Sequence, residues 1–300
     1  VILKRRLRIL ETFFFRGWPI RYKLAGKGAP VILLHNGGAS HAIWNDIVPL
    51  LSGEFELFAF DLLGYGASAK PGTGYTLTGY IDFLNEFINH RRLAPVNLVG
   101  NCMGSAMSLG LAIRRPEYVR ALVLINPLTE ATFLGGIMGP LLRMQKRAPR
   151  FSRRINQRLA RVKLTPRLGS LALRFQLGAH GKSRRIHKRP ELCSCYASPG
   201  QMDSLLGVLE DLSNYGYLDR FEPGPGFPPV CTIWGLQNRI LSPEAGRLLN
   251  AGLKPLRQEW LEGCGHLLML ERPEEVALII REFFGRAHHE NGAAPGTEEG

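Results

Sequence analysis

Four short apolar runs, PVILLH (30–35), FELFAFD (55–61), VNLVG (96–100) and VRALVLIN (119–126), alternate with stretches near 41–51, 77–92 and 103–115 whose apolar positions recur at helical spacing. Runs this short and continuous predict strands buried on both faces, and their alternation with helices predicts a mainly parallel, doubly wound α/β sheet. Ahead of them, ETFFFRG and PIRYKLAG predict an N-terminal hairpin. After residue 126 the strand rhythm stops, and it resumes only at PVCTIWG (229–235), followed by a helix from Pro243, the strand RQEWLEG (257–263) and a last helix from Pro273 to about Phe284. The interval 127–222 reads as helical and is cut by Pro140, Pro149, Pro166, Pro190 and Pro199. Inserted after the sixth strand of one sheet, it is expected to be a helical cap on a core made of residues 12–126 and 223–286. The Gly- and Glu-rich stretch 287–300 has no periodicity and is expected to be disordered.

Composition adds a compartment and a charge asymmetry. Five cysteines, Cys102, Cys193, Cys195, Cys231 and Cys264, are an odd number at spacings that fit no zinc pattern, so free thiols in a reducing, cytoplasmic setting are expected, with no metal or cofactor. The opening VILKRRLRIL lacks the apolar centre and small-residue end of a secretory signal, and no run reaches the roughly 18 apolar residues of a membrane helix. The net charge is +13, yet residues 141–190 alone hold 16 Lys or Arg and no Asp or Glu. The remaining 250 residues carry 22 basic and 25 acidic groups, so the cap holds the whole basic excess.

The candidate chemistry sits where strands end. GNCMG (100–104) follows one strand and opens a helix rich in small residues, which presents Cys102 on a tight turn either as a packing residue or as a nucleophile. A thiol at a helix start should lose its proton more readily than a free one. LLHNGGASHAIW (33–44) ends an earlier strand in a Gly-rich turn that can aim the Gly37 N–H at a developing oxyanion, with the Met103 N–H as second donor. DLLGYGAS (61–68) and WGLQN (234–238) end two further strands, and His266 lies in GHLLMLERPEE (265–275), just after the last one.

In order and spacing, HNGG, DLLGYGAS, GNCMGS, WGLQN and GHLLMLERPEE resemble the α/β-hydrolase fold superfamily, specifically its capped single-chain members, over about residues 12–286. The resemblance implies that Cys102 is the nucleophile and His266 the general base, that Asn238 occupies the place of the orienting acid, and that Asp61 is structural. Two positions depart from the usual pattern, cysteine for serine and Asn238 for aspartate. They are chemically compatible. A serine hydroxyl depends on a carboxylate behind the histidine, and loss of that charge costs a serine protease about 10⁴ in turnover. A thiol beside histidine can instead ionise before substrate arrives, and an amide oxygen can still orient the imidazole, as in Cys-His-Asn proteases. Glu130 and Asn126, just beyond the strand ALVLI, are the alternative third members, and His35 is expected to shape the oxyanion turn.

The expected activity is cleavage of an ester or thioester through an acyl-cysteine. Alternatives are an acyltransferase or cyclising release enzyme, which passes the acyl group to an alcohol, amine or thiol, and a non-catalytic binding protein on the same fold. Within the cap, Phe151, Ile155, Leu159 and Val162 share one helical face while Arg153, Arg154, Arg158 and Arg161 fall elsewhere, giving a basic amphipathic helix. Such charge suits an acyl donor on coenzyme A or an acyl carrier protein, or peripheral contact with an anionic membrane. No nucleic-acid motif accompanies it. The second basic stretch, GKSRRIHKRP (181–190), is expected to be an exposed loop.

Overall fold

The computed structural model describes residues 10–140, 142–143, 165–196, 198 and 200–290. Eight strands form one sheet in the order β1-β2-β4-β3-β5-β6-β7-β8. They are β1 (Leu10–Phe15), β2 (Trp18–Ala25), β3 (Ala29–Leu34), β4 (Phe55–Phe60), β5 (Val96–Asn101), β6 (Val119–Ile125), β7 (Val230–Gly235) and β8 (Arg257–Leu261). β1 and β2 pair antiparallel around the two-residue turn Arg16-Gly17, both at positive φ, as a tight hairpin requires. β2 also meets β4 antiparallel, and every pair from β3 to β8 is parallel. The sheet is therefore mixed only at its N-terminal edge.

The described helices are α1 (Val48–Leu51), α2 (Leu77–Arg91), α3 (Met103–Arg114), α4 (Glu130–Leu134), α5 (Pro166–Gln176), α6 (Ala179–Ser183), α7 (Pro190–Tyr196), α8 (Gln201–Glu210), α9 (Pro243–Leu253), α10 (Leu268–Glu271) and α11 (Pro273–Glu290). Their starts are written locally: the Thr76 hydroxyl accepts the Gly79 N–H before α2, and Ser242 accepts the Ala245 N–H before α9, whose first residue is proline. Strand side chains alternate between two cores. Ile32, Phe60 and Leu98 pack with Phe87 of α2 and Met107 of α3, whereas Leu33, Val99 and Ile233 pack on the other face with Val276 and Phe284 of α11.

β3 lies between β4 and β5, so the winding direction reverses there, and Leu34 on β3 pairs with Gly100 on β5. The loops leaving these two strands open side by side at the carboxyl end of the sheet, where α/β sheets bind their ligands.

The insert between β6 and β7 is helical in its described part, α4 to α8. The expected basic amphipathic helix over 151–162 lies outside the described residues. Two expectations need correction. The stretch 181–190 is not a plain exposed loop: it closes α6 and forms a 3₁₀ turn, Ile186–Lys188, in which Ile186 and His187 are buried. Elements of three to five residues are too short to show periodicity. At the other end, α11 continues to Glu290, past Phe284 and into the stretch expected to be disordered from 287, because nothing in Arg286 to Glu290 breaks a helix.

Candidate active site

Main-chain contacts build the turn after β5. Cys102 sits at φ 54° and ψ −109°, a strained conformation for a side chain with a β-carbon. Its N–H donates to Ile125 O at 2.9 Å and its carbonyl accepts Leu128 N–H at 3.2 Å, which pins it between β5 and the end of β6. A β-carbon on Gly100 would collide with the backbone of Gly104 and Ser105, and one on Gly104 with the Leu34 carbonyl. Glycine at both positions lets α3 descend onto β5 and β3, which carries the first residues of α3 up to the loop after β3.

In that loop, the His35 Nδ1–H donates to Asn36 O at 2.7 Å and Nε2 accepts the Leu62 N–H at 3.0 Å, so His35 cross-links the turn to the segment after β4. Asp61 accepts the His41 and Ala67 N–H groups at 2.7 and 2.8 Å and holds the 61–68 turn, a structural role. The result is that the Gly37 and Met103 N–H groups lie close enough to the Cys102 thiol to favour its thiolate.

The electrostatics run against one expectation. Burial pushes the Cys102 thiol up to about 12, and the Gly37 and Met103 N–H groups only partly offset it. Burial also pushes His266 down to about 3. Burial thus works against the thiolate–imidazolium pair expected from sequence and favours the neutral form of both groups.

His266 is placed by side chains from distant parts of the chain. Its Nδ1–H donates to Asn238 Oδ1 at 3.3 Å, and the same oxygen accepts the Ile240 and Leu241 N–H groups at 3.0 and 3.2 Å. Asn238 Nδ2 is buried without a hydrogen-bond partner. Asn126, at φ 42°, accepts the Gly235 N–H at 3.0 Å and donates to Gly265 O and His266 O at 3.4 and 3.3 Å, so it ties the ends of β6 and β7 to the histidine loop. Glu130 faces elsewhere: its Oε2 lies 2.6 Å from where a β-carbon on Gly216 would be. Asn238 is thus the candidate brought to the imidazole, Asn126 touches only backbone, and Glu130 belongs to the packing of α4. Among the described residues no three His, Cys, Asp or Glu side chains are grouped as a metal would need.

The alpha/beta hydrolase fold model matches residues 29–273, the span that contains both loops and the histidine. The chain belongs to the α/β-hydrolase fold family. This α/β hydrolase is 42% identical over 114 residues to the 2-hydroxy-6-oxo-6-(2'-aminophenyl)hexa-2,4-dienoic acid hydrolase of Metapseudomonas resinovorans, a match spanning 37% of this chain and 39% of that protein. It is 25% identical over 264 residues to the 2-hydroxy-6-oxo-2,4-heptadienoate hydrolase of Pseudomonas putida, covering 86% of this chain and 90% of the relative. In fold it is similar to an esterase from Thermogutta terrifontis, with TM-score 0.73 and 20% identity over 93% of this chain and 98% of the other. A bacterial membrane phospholipase A has TM-score 0.77 and 21% identity, covering 96% and 89%.

In this α/β hydrolase the cap touches both halves of the site. Gln201 Nε2 donates to Gly38 O at 2.6 Å, Ser40 Oγ lies 3.1 Å from Cys195 Sγ, and Leu205 packs on Gly37. On the other side the His266 N–H donates to Gln176 O at 2.8 Å. Sequence reasoning missed Gln176, Gln201 and Glu271. The one available signal was a lone carboxylate closing the apolar run LLMLE, since a buried position there demands partners. Among the described residues no helix is long and apolar enough to cross a membrane.

Proposed function

We propose that this α/β hydrolase cleaves an ester or thioester through an acyl-Cys102 intermediate. The observation that carries the reading is that the Gly37 and Met103 N–H groups both lie close enough to Cys102 to favour its thiolate, at the point where the sheet's winding reverses. A carbonyl carbon bonding to that sulfur would leave its oxygen between the same donors, and one such donor is worth about 10²- to 10³-fold in turnover.

Burial favours the neutral form of both groups, and that preference sets the order of events. His266, its Nδ1–H committed to Asn238, has Nε2 free to accept the thiol proton as sulfur attacks. The imidazolium then gives that proton to the leaving group as the carbon–oxygen or carbon–sulfur bond breaks. Water, deprotonated by the same nitrogen, hydrolyses the thioester and restores the thiol. An alcohol, amine or thiol in place of water makes the enzyme an acyltransferase or a cyclising release enzyme by the same steps. The cap's exposed Arg167, Arg174 and Lys188 favour an acyl donor with negative charge, such as a coenzyme A thioester or an acyl carrier protein, and peripheral contact with anionic lipid uses the same charge.

Intact-mass measurement after mixing with a p-nitrophenyl acyl ester tests the reading. One acyl adduct on the wild type and none on Cys102→Ala is expected. An adduct that survives in Cys102→Ala would refute the assignment, and none on the wild type would favour a binding protein on the same fold. Added alcohols sort the fate of the acyl group: ester product supports transfer, and free acid alone supports hydrolysis.

A further inference from the structure

Glu271 closes α10 with 1% of its surface exposed. Its Oε1 accepts the Gly265 N–H at 2.9 Å and the Leu267 N–H at 3.4 Å, from the residues on either side of His266. Oε2 accepts the Gly178 N–H at 2.9 Å and the Gly181 N–H at 3.2 Å, both in the cap. All four donors are main-chain. The nearby cations are engaged elsewhere: Arg272 pairs with Glu275 at 2.7 Å and approaches His180 Nε2 at 2.7 Å, and Arg184 donates to the Glu271 backbone carbonyl at 3.0 Å. Burial raises the carboxyl above its ordinary range and the four N–H groups oppose that shift.

The seam around this carboxylate leaves no room for side chains. A β-carbon on Gly178 would collide with Gly263 O, and one on Gly265 with Gln176 O. The His180 N–H donates to Gly263 O at 3.0 Å and the Ala179 N–H to Gln237 Oε1 at 2.8 Å. Residues 176–181 therefore form a wall against which the histidine loop rests, and Glu271 is the side chain that bonds to both.

We propose that Glu271 is a positioning residue for His266, each carboxylate oxygen holding one side of the joint between the histidine loop and residues 178–181 of the cap. The proposal rests on His266 being the general base, although the joint is physical whether or not the base acts. It requires an acceptor at both oxygens. A glutamine offers one acceptor and one NH₂, which would face two N–H donors and push one side of the joint open.

The test combines a spectroscopic signature with turnover. In ¹⁵N-histidine-labelled wild type, the buried Nδ1–H of His266, assigned by its loss in His266→Gln, is expected as a slowly exchanging signal. In Glu271→Gln that signal is expected to shift and exchange with solvent, and kcat on the p-nitrophenyl ester to fall about 100-fold while KM changes far less. A folded Glu271→Gln with the wild-type signal overturns the proposal even if the wild type turns over no ester. Loss of the signal in a protein whose wild type forms no acyl-Cys102 upholds the joint and refutes only the catalytic reading. If Glu271→Gln does not fold, Glu271→Asp, which keeps the charge, carries the test: about a tenfold loss in kcat with a shifted signal is expected, and wild-type kcat with an unshifted signal overturns it.

Discussion

At the Cys102 turn most of the holding is done by main chain: Cys102 N–H to Ile125 O, Leu128 N–H to Cys102 O, and two glycines that let α3, β5 and β3 touch, with the Ser105 hydroxyl adding contacts of 2.7 and 3.0 Å to Gly100 O and Ile125 O. Around His266 the burden falls on side chains brought from elsewhere, with Asn126, Asn238 and Glu271 each reaching the loop and Gln176 supplying a carbonyl. The Cys102 turn therefore depends on close backbone packing against β3 and β6, whereas the His266 loop depends on several separate side-chain bonds. The first should fail all at once, and the second by degrees.

Four measurements press on that contrast. The largest effect belongs to Gly100→Ala, whose new methyl has only backbone to displace; a loss of more than about 3 kcal/mol in urea unfolding is expected. A cost below about 1 kcal/mol would show the turn to be more pliant than its packing implies. On the histidine side, Asn126→Ala removes bonds to Gly235, Gly265 and His266 but no packed backbone. It should cost about 1–3 kcal/mol and leave a folded protein whose kcat is down at least tenfold. Unchanged kcat would sever the link between loop anchoring and catalysis.

Third comes the thiol's ionisation. The folded pKa lies above the free value, so thiolate accumulates only as pH rises toward about 12. Iodoacetamide labelling of Cys102 should speed up about tenfold per pH unit through the alkaline range. A rate that is flat from neutral pH upward would restore the preformed ion pair. The same shift makes stability fall between pH 9 and 12, because the unfolded thiol ionises first. The smallest effect is expected from Asn238→Asp, which relieves the unpartnered Nδ2 and keeps an oxygen for Ile240, Leu241 and His266. Stability should move by no more than about 1 kcal/mol. The new carboxylate should raise the His266 pKa in an NMR titration, and an unmoved pKa would place residue 238 too far from the imidazole to orient it.

The difference between the two regions also explains what could be read in advance. GNCMG announces its turn within five residues, since a turn at positive φ between a strand and a helix needs small neighbours wherever it occurs, but by itself it leaves open whether Cys102 packs or reacts. The sheet was legible for the same reason: continuous apolar runs report burial on both faces without any knowledge of partners. His266 and Asn238 were found only through spacing shared with a family. Glu271 was read as part of a motif with no task, because its four donors come from residues 178, 181, 265 and 267 and only the folded chain brings those peptides together. The helix start that favours a thiolate is visible in sequence, whereas the burial that opposes it belongs to the folded chain.

The glycine-lined seam between residues 176–181 and the histidine loop bears on how such proteins can be recombined. An exchange of caps between relatives, cut near 126 and 223, would carry away Gln176, Gly178 and Gly181 along with the rest of the insert. The transplant would then arrive with a foreign backstop for a native histidine. A graft that leaves residues 176–181 with the core, and trades only what lies outside them, keeps the support of the His266 loop in the recipient while the rest of the insert changes hands.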